Sequence, residues 1–122
     1  MAKLVYNVGQ CGFDHGNISA VLSKLNAEVR NIQTESELLA QIQKQAPSLI
    51  LVNRVLDGDG SSGHEIIRNL KSDDISKSIP VMLVSNYSAA QGEAVDLGAL
   101  PGFGKDNLHS ADTAAALKKI LS

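Results

Sequence analysis

The sequence predicts an α/β fold: one sheet of five parallel strands, doubly wound by five helices. Three observations predict it. Short apolar runs alternate along the whole chain with stretches in which apolar residues recur every three or four positions. Two of the runs, Leu49–Val52 and Ile79–Val84, lack polar alternation, as parallel strands covered on both faces do. Neither internal repeats nor low-complexity stretches interrupt the alternation, and right-handed crossovers then join successive strands. At 122 residues and 43% hydrophobic, the chain has apolar surface for one compact core and no room for a second, so residues 1–122 are expected to form a single domain.

The first strand is expected over Lys3–Val8, ending at Gly9 in a loop that also holds Gly12 and Gly16. From Gly16, Ile18, Val21, Leu22 and Leu25 fall on one helical face. The more polar stretch Glu28–Ile32 reads as a second strand near a sheet edge. Thr34 and Glu37 form a capping box for a second helix, with Leu38, Leu39 and Ile42 inward and an end near Ala46 forced by Pro47.

Leu49–Asn53 is the third, central strand, followed by a loop over Arg54–Gly63 and a helix carrying Ile66, Ile67 and Leu70. The polar stretch Ser72–Ser78 leads to the fourth strand, Ile79–Val84, which Ser85 terminates. Ser88 is placed to cap a short helix with Ala94, Val95 and Leu97 inward and Gly98 at its end. Leu100–Gly104 is a weak fifth strand, and Ala114, Leu117 and Leu121 mark the last helix.

Composition narrows the function. The net charge is −2 and Lys and Arg are scattered singly, so neither a nucleic-acid backbone nor an anionic membrane finds an electrostatic footprint. No window approaches the ~20 apolar residues of a membrane span, and no basic-then-apolar leader opens the chain, which suits a cytoplasmic location. The lone Cys11 has no internal disulfide partner.

A doubly wound sheet carries its chemistry outside the carboxyl ends of its strands, which singles out the loop after Val8, Asn53, Ser85 and Lys105. Asn53 is a neutral amide, a poor nucleophile and a poor ligand for hard cations. Within the first loop, Gly9, Cys11 and Asp14 are the site candidates: its glycines would free backbone N–H groups for a small anion, although they match no phosphate-loop fingerprint. Asp57 and Asp59 sit in an Asp-Gly-Asp-Gly run, but Arg68 stands where a calcium loop needs its twelfth-position glutamate, so a solvated turn is expected.

The stretch Pro47–Lys71, the segment Ile79–Ser85, the pair Gly98-Ala99 and the triplet Phe103-Gly104-Lys105 resemble the receiver domains of bacterial response regulators in order and spacing, over nearly the whole chain. The resemblance implies a flavodoxin-like, receiver-type fold and a role in two-component signal transduction. It also implies a site: a phosphoacceptor aspartate at the end of the third strand, a hydroxyl and a lysine at the ends of the fourth and fifth, and an acidic pair after the first that holds magnesium. Ser85 and Lys105 match the hydroxyl and lysine places, whereas Asn53 stands in the acceptor place and Asn7, Val8 and Gly9, where the acidic pair belongs, are all neutral. Other departures are two extra residues before Gly63 and a glycine, Gly102, near the aromatic switch position.

Acceptor and metal site are thus missing together, and phosphoryl transfer lacks both nucleophile and charge neutralisation. The expectation is a non-phosphorylatable receiver-like module, not an enzyme, with no metal and no cofactor. It would bind a kinase, scaffold or output protein and pair weakly with itself through the face from the fourth to the fifth helix. The alternatives are a small-anion sensor using the Gly-rich first loop with Ser85 and Lys105, and a phosphorelay receiver with another acceptor such as Asp57.

Overall fold

A computed structural model describes residues 2–122. Five strands, β1 (Lys3–Val8), β2 (Ala27–Ile32), β3 (Leu49–Asn53), β4 (Val81–Val84) and β5 (Leu100–Phe103), alternate with five helices, α1 (Gly12–Ser23), α2 (Glu35–Lys44), α3 (Gly63–Ser72), α4 (Ser88–Asp96) and α5 (Ala111–Leu121). All strands are parallel, in the order β2-β1-β3-β4-β5, which is the doubly wound, flavodoxin-like sheet expected. The polar β2 is an edge strand, again as expected.

Strand alternation divides the core in two. Leu4, Tyr6, Val8, Ile50, Val52, Val81 and Leu83 point to the side covered by α2, α3 and α4, where Leu38, Ile42, Ile66, Ile67, Leu70 and Ala94 meet them. Val5, Leu49, Leu51, Met82 and Val84 point the other way, onto Ile18 and Leu22 of α1 and Leu117 and Leu121 of α5. The winding reverses between β1 and β3, so a crevice opens outside their carboxyl ends.

The boundaries differ from expectation in ways that have physical causes. Helix α1 starts at Gly12, not Gly16, because Cys11 acts as its N-cap: the backbone there is extended and Sγ accepts the Asp14 N–H at 3.5 Å. Cysteine is not a habitual cap, so this start carried no sequence signal. Leu25 then lies beyond the helix, and Val21 and Leu25 are only partly buried.

Helix α2 ends at Lys44, two residues before Ala46. The buried Tyr6 hydroxyl donates to the Gln45 carbonyl at 2.6 Å and ties the helix end to the sheet. Leu39 and Val95, expected inward, are exposed, as is Ala114. Each lies one residue off the stripe that its helix buries: Leu38 and Ile42 in α2, Ala90 and Ala94 in α4, and Thr113, Leu117 and Leu121 in α5.

Strand β2 starts one residue before Glu28, at Ala27, and β5 stops one short of Gly104, at Phe103. Strand β4 starts at Val81 and not Ile79, since Pro80 has no N–H for the ladder; its carbonyl still accepts from Ile50 N at 2.9 Å. Tyr87, not Ser88, precedes the first turn of α4.

Candidate functional site

The loops leaving β3, β4 and β5 enclose an open cleft of about 520 Å³ at the carboxyl end of the sheet. Asn53, Ser85 and Lys105, singled out far apart in the sequence, all line it. The cleft also holds Arg54, Val55, Val84, Asn86, Tyr87 and Asp106. Gly9 and Cys11 do not line it, and with residues 12–23 folded into α1 the glycine-rich loop expected to run on to Gly16 ends before Gly12. Asp57 is exposed in a turn outside the cleft, and Asp59 there accepts the Ser61 N–H at 2.9 Å; the Ser61 hydroxyl, and then this N–H, hold its carboxyl below the usual range.

Asn53 serves the backbone. Its Nδ2 donates to the Gly9 carbonyl at 2.9 Å, and the same carbonyl accepts from Asp57 N at 2.9 Å. Gly9 reaches this position with φ of +77°, where a side chain would be strained and a Cβ would enter the Leu56 side chain. Two hydrogen bonds therefore occupy the oxygen that the end of β1 offers. A hard divalent cation needs oxygen ligands with at least one carboxylate, and the residues at this place do not fit one.

Asp14 has a different task. From the first turn of α1 its carboxylate reaches Lys105 Nζ at 2.7 Å and accepts the Cys11 thiol at 3.3 Å. The hydrogen bond from Lys105 holds the Asp14 carboxyl below the usual carboxylate range; partial burial opposes this and the thiol contact supports it. The helix N-terminus favours the same charge.

A folded-state pKa below the unfolded value means stability present above about pH 4 and lost as the pH falls through the folded pKa. With the lysine partly solvated, the pair is worth about 1 kcal/mol at most. Asp14→Asn is expected to lower the urea-unfolding free energy by roughly that amount at pH 7, with the difference from the parent shrinking as the pH falls below about 4. A difference that persists undiminished at pH 3 would rule out the charge as its origin.

Ser85 and its neighbours tie β4 to β5. Ser85 N donates to Phe103 O at 3.0 Å, and its hydroxyl accepts the Tyr87 N–H at 3.2 Å, just ahead of the start of α4, which has no side-chain cap. Asn86 Oδ1 accepts from Asp106 N at 3.0 Å, a closeness that Gly104 permits because a Cβ there would collide with the Asn86 side chain. The turn carrying Lys105 is fixed in this way. One helix turn on, the Gln91 amide reaches under α4 to the sheet. Its Nε2 donates towards Leu83 O at 2.9 Å, Ser85 O at 3.1 Å and Phe103 O at 3.4 Å, while Oε1 accepts from Gly102 N at 3.1 Å. The amide spans the gap where the β4–β5 register slips.

Arg54 and Tyr87 are among the cleft residues that reading the sequence missed, with Val55, Asn86 and Asp106. The guanidinium lies 5.0 Å above the centre of the Tyr87 ring. Arg54 follows β3 directly and Tyr87 lies three residues after β4, so the strand-end rule that selected Asn53 and Ser85 would have reached them one and two residues further on. Behind the cleft, Asn7 is fully buried and its Nδ2 lies 3.0 Å from His15 Nδ1. Burial pushes His15 below its ordinary pKa. Gln10 is also fully buried, and neither of its amide atoms has a partner among the described residues.

No protein-family model matches the chain, and no curated protein matches it in sequence. Solved structures do. A putative response regulator from Chloroflexus aurantiacus is similar with a TM-score of 0.80 at 19% identity, over 99% of this chain and 98% of that one. The chemotaxis response regulator CheY4 of Vibrio cholerae gives 0.75 at 18%, over 99% and 100%. NtrX from Brucella abortus gives 0.76 at 22%, over 98% of this chain, which spans only 29% of that longer protein. The chain therefore has the fold of response-regulator receiver domains, with an amide at the end of β3 and the lysine after β5 paired to an aspartate of α1.

Proposed function

We propose that the chain is a non-phosphorylatable receiver-like module that binds protein partners in a signalling pathway and catalyses no reaction. One observation carries the reading: the groups at the strand ends are satisfied by one another. The Asn53 amide is engaged by Gly9 and the Lys105 ammonium by Asp14, which leaves neither an acceptor nor a lysine waiting for a phosphoryl group. An amide offers no oxygen nucleophile, and the transfer has nothing to replace the missing metal charge.

The partner would be a kinase, scaffold or output protein. Weak self-pairing would use α4, β5 and α5, a reading supported by the exposed Val95 and Leu100 and by Ala114, Ala115 and Ala116, which keep α5 flat. The test is amide NMR of the ¹⁵N-labelled chain with magnesium and beryllofluoride. No shifts are expected at Asn53, Ser85 or Lys105, and dilution should move signals only on the α4–β5–α5 face. A saturable, magnesium-dependent response at the cleft would sink the proposal.

A second reading, a small-anion sensor, is favoured by the presence of Arg54 and Lys105 in one cleft. Saturable thermal stabilisation by inorganic anions would favour it over the module.

A further inference from the structure

Large apolar side chains collect at the carboxyl end of the sheet without a partner. Tyr87 is 62% exposed and Val55 44%, both on the cleft wall, and Phe13 is 77% exposed on the first turn of α1, next in sequence to Asp14. Exposed apolar groups gathered around a polar centre mark a surface that another molecule covers.

Charge decides what that molecule carries. Lys105 is neutralised by Asp14, whereas Arg54 has no carboxylate within 4.0 Å among the described residues. Its guanidinium rests on the Tyr87 ring, an arrangement that holds the planar group still while the N–H edge remains able to form two parallel bonds to a carboxylate. Asp106 also lines the cleft, so Arg54, Lys105 and Asp106 with Asp14 sum to zero. A doubly charged phosphate is poorly matched there; a single carboxylate on Arg54 is well matched.

We propose that this cleft is a docking site for a protein segment that presents one Asp or Glu side chain to Arg54 and lays an apolar neighbour on Tyr87 and Val55. The inference rests on reading the chain as a protein-interaction module and places a contact at the end of the sheet, away from the α4–β5–α5 face. A polypeptide suits the site better than a free small anion, because a small anion would leave Val55 and Tyr87 uncovered.

The test uses the ¹⁵N-labelled full chain without magnesium, titrated with acetyl-Leu-Glu-Phe-amide, with the same peptide carrying Gln in place of Glu, and with inorganic phosphate. Saturable shifts are expected at Arg54, Tyr87 and Ser85 with the Glu peptide. Binding should be at least 10-fold weaker with the Gln peptide, a loss of the size a charge-assisted pair supports. Arg54→Ala should abolish the response and Lys44→Glu, at the exposed end of α2, should leave it unchanged. Equal binding of the two peptides, no binding of either, an unaltered response in Arg54→Ala, or phosphate binding as tightly as the Glu peptide would each overturn the proposal. Failure here with a silent beryllofluoride experiment removes the docking site alone; a beryllofluoride response removes the module reading itself.

Discussion

Gly63→Ala is expected to destabilise the protein by about 3 kcal/mol, the upper end for forcing a methyl group into filled space, or roughly 10 °C in Tm for a chain of this size. Gly63 is the first residue of α3, and its N–H donates to Arg54 O at 2.8 Å. A Cβ there would overlap the Asn53 carbonyl oxygen and stand 3.1 Å from that of Arg54. Both are backbone atoms and cannot swing aside as a side chain would. Relief requires moving the first turn of α3 away from the end of β3, which breaks the Gly63–Arg54 bond and displaces Asn53 from Gly9. The control lies in the same loop: at Gly58 a Cβ meets only Gln33 Oε1 at 3.8 Å, so Gly58→Ala should stay within about 0.5 kcal/mol of the parent. Urea denaturation of the three proteins decides the matter. A Gly63→Ala loss below 1 kcal/mol would mean that the loop between β3 and α3 yields, and that Asn53 is held less firmly than the geometry implies.

The spacing of glycine after Asn53 shows how far the sequence could be read. Gly63 stands ten positions after Asn53, two more than the receiver resemblance implies, and the added length is taken up by a turn closed by a single antiparallel bridge, Val55 to Ser62. The sheet was legible because its strands are apolar runs that nothing but a two-sided cover explains. Helix faces were legible to within one residue, which is the error that turned Leu39 and Val95 inward: adjacent apolar residues fit two neighbouring stripes, and packing chooses between them. The start of α1 was hidden because it depends on a cysteine cap.

At the site, the positions of Asn53, Ser85 and Lys105 followed from topology alone. Their partners did not. Asp14 and Lys105 meet only once α1 and the β5 loop are packed side by side, and no local spacing encodes that meeting. The Gln91 amide is a further case. An isolated glutamine on a short helix looks like a solvated surface residue, yet its amide fills a break in the sheet.

Gln91→Leu is accordingly expected to cost about 3 kcal/mol, because it leaves the Gly102 N–H and the Leu83 and Ser85 carbonyls without the bonds that Gln91 supplies, and each buried unpaired group costs about 1–3 kcal/mol. Leucine preserves the bulk, so the loss measures hydrogen bonding more than packing. Gln91→Glu separates the two further. One carboxylate oxygen still accepts from Gly102, but the other faces carbonyl oxygens with no proton between them, so the charged form is disfavoured and the folded-state pKa rises above the unfolded value of about 4.3. Stability is then retained below the unfolded pKa and lost as the pH rises through the folded one. Gln91→Glu should therefore lie close to the parent at pH 4 and at least 2 kcal/mol below it at pH 8, whereas Gln91→Leu should be equally impaired at both. Urea denaturation at the two pH values distinguishes them, and an equal loss in Gln91→Glu at both would show that Gln91 acts by shape. Gln91 thus joins α4 to both β4 and β5, on the face that the proposed module would offer a partner.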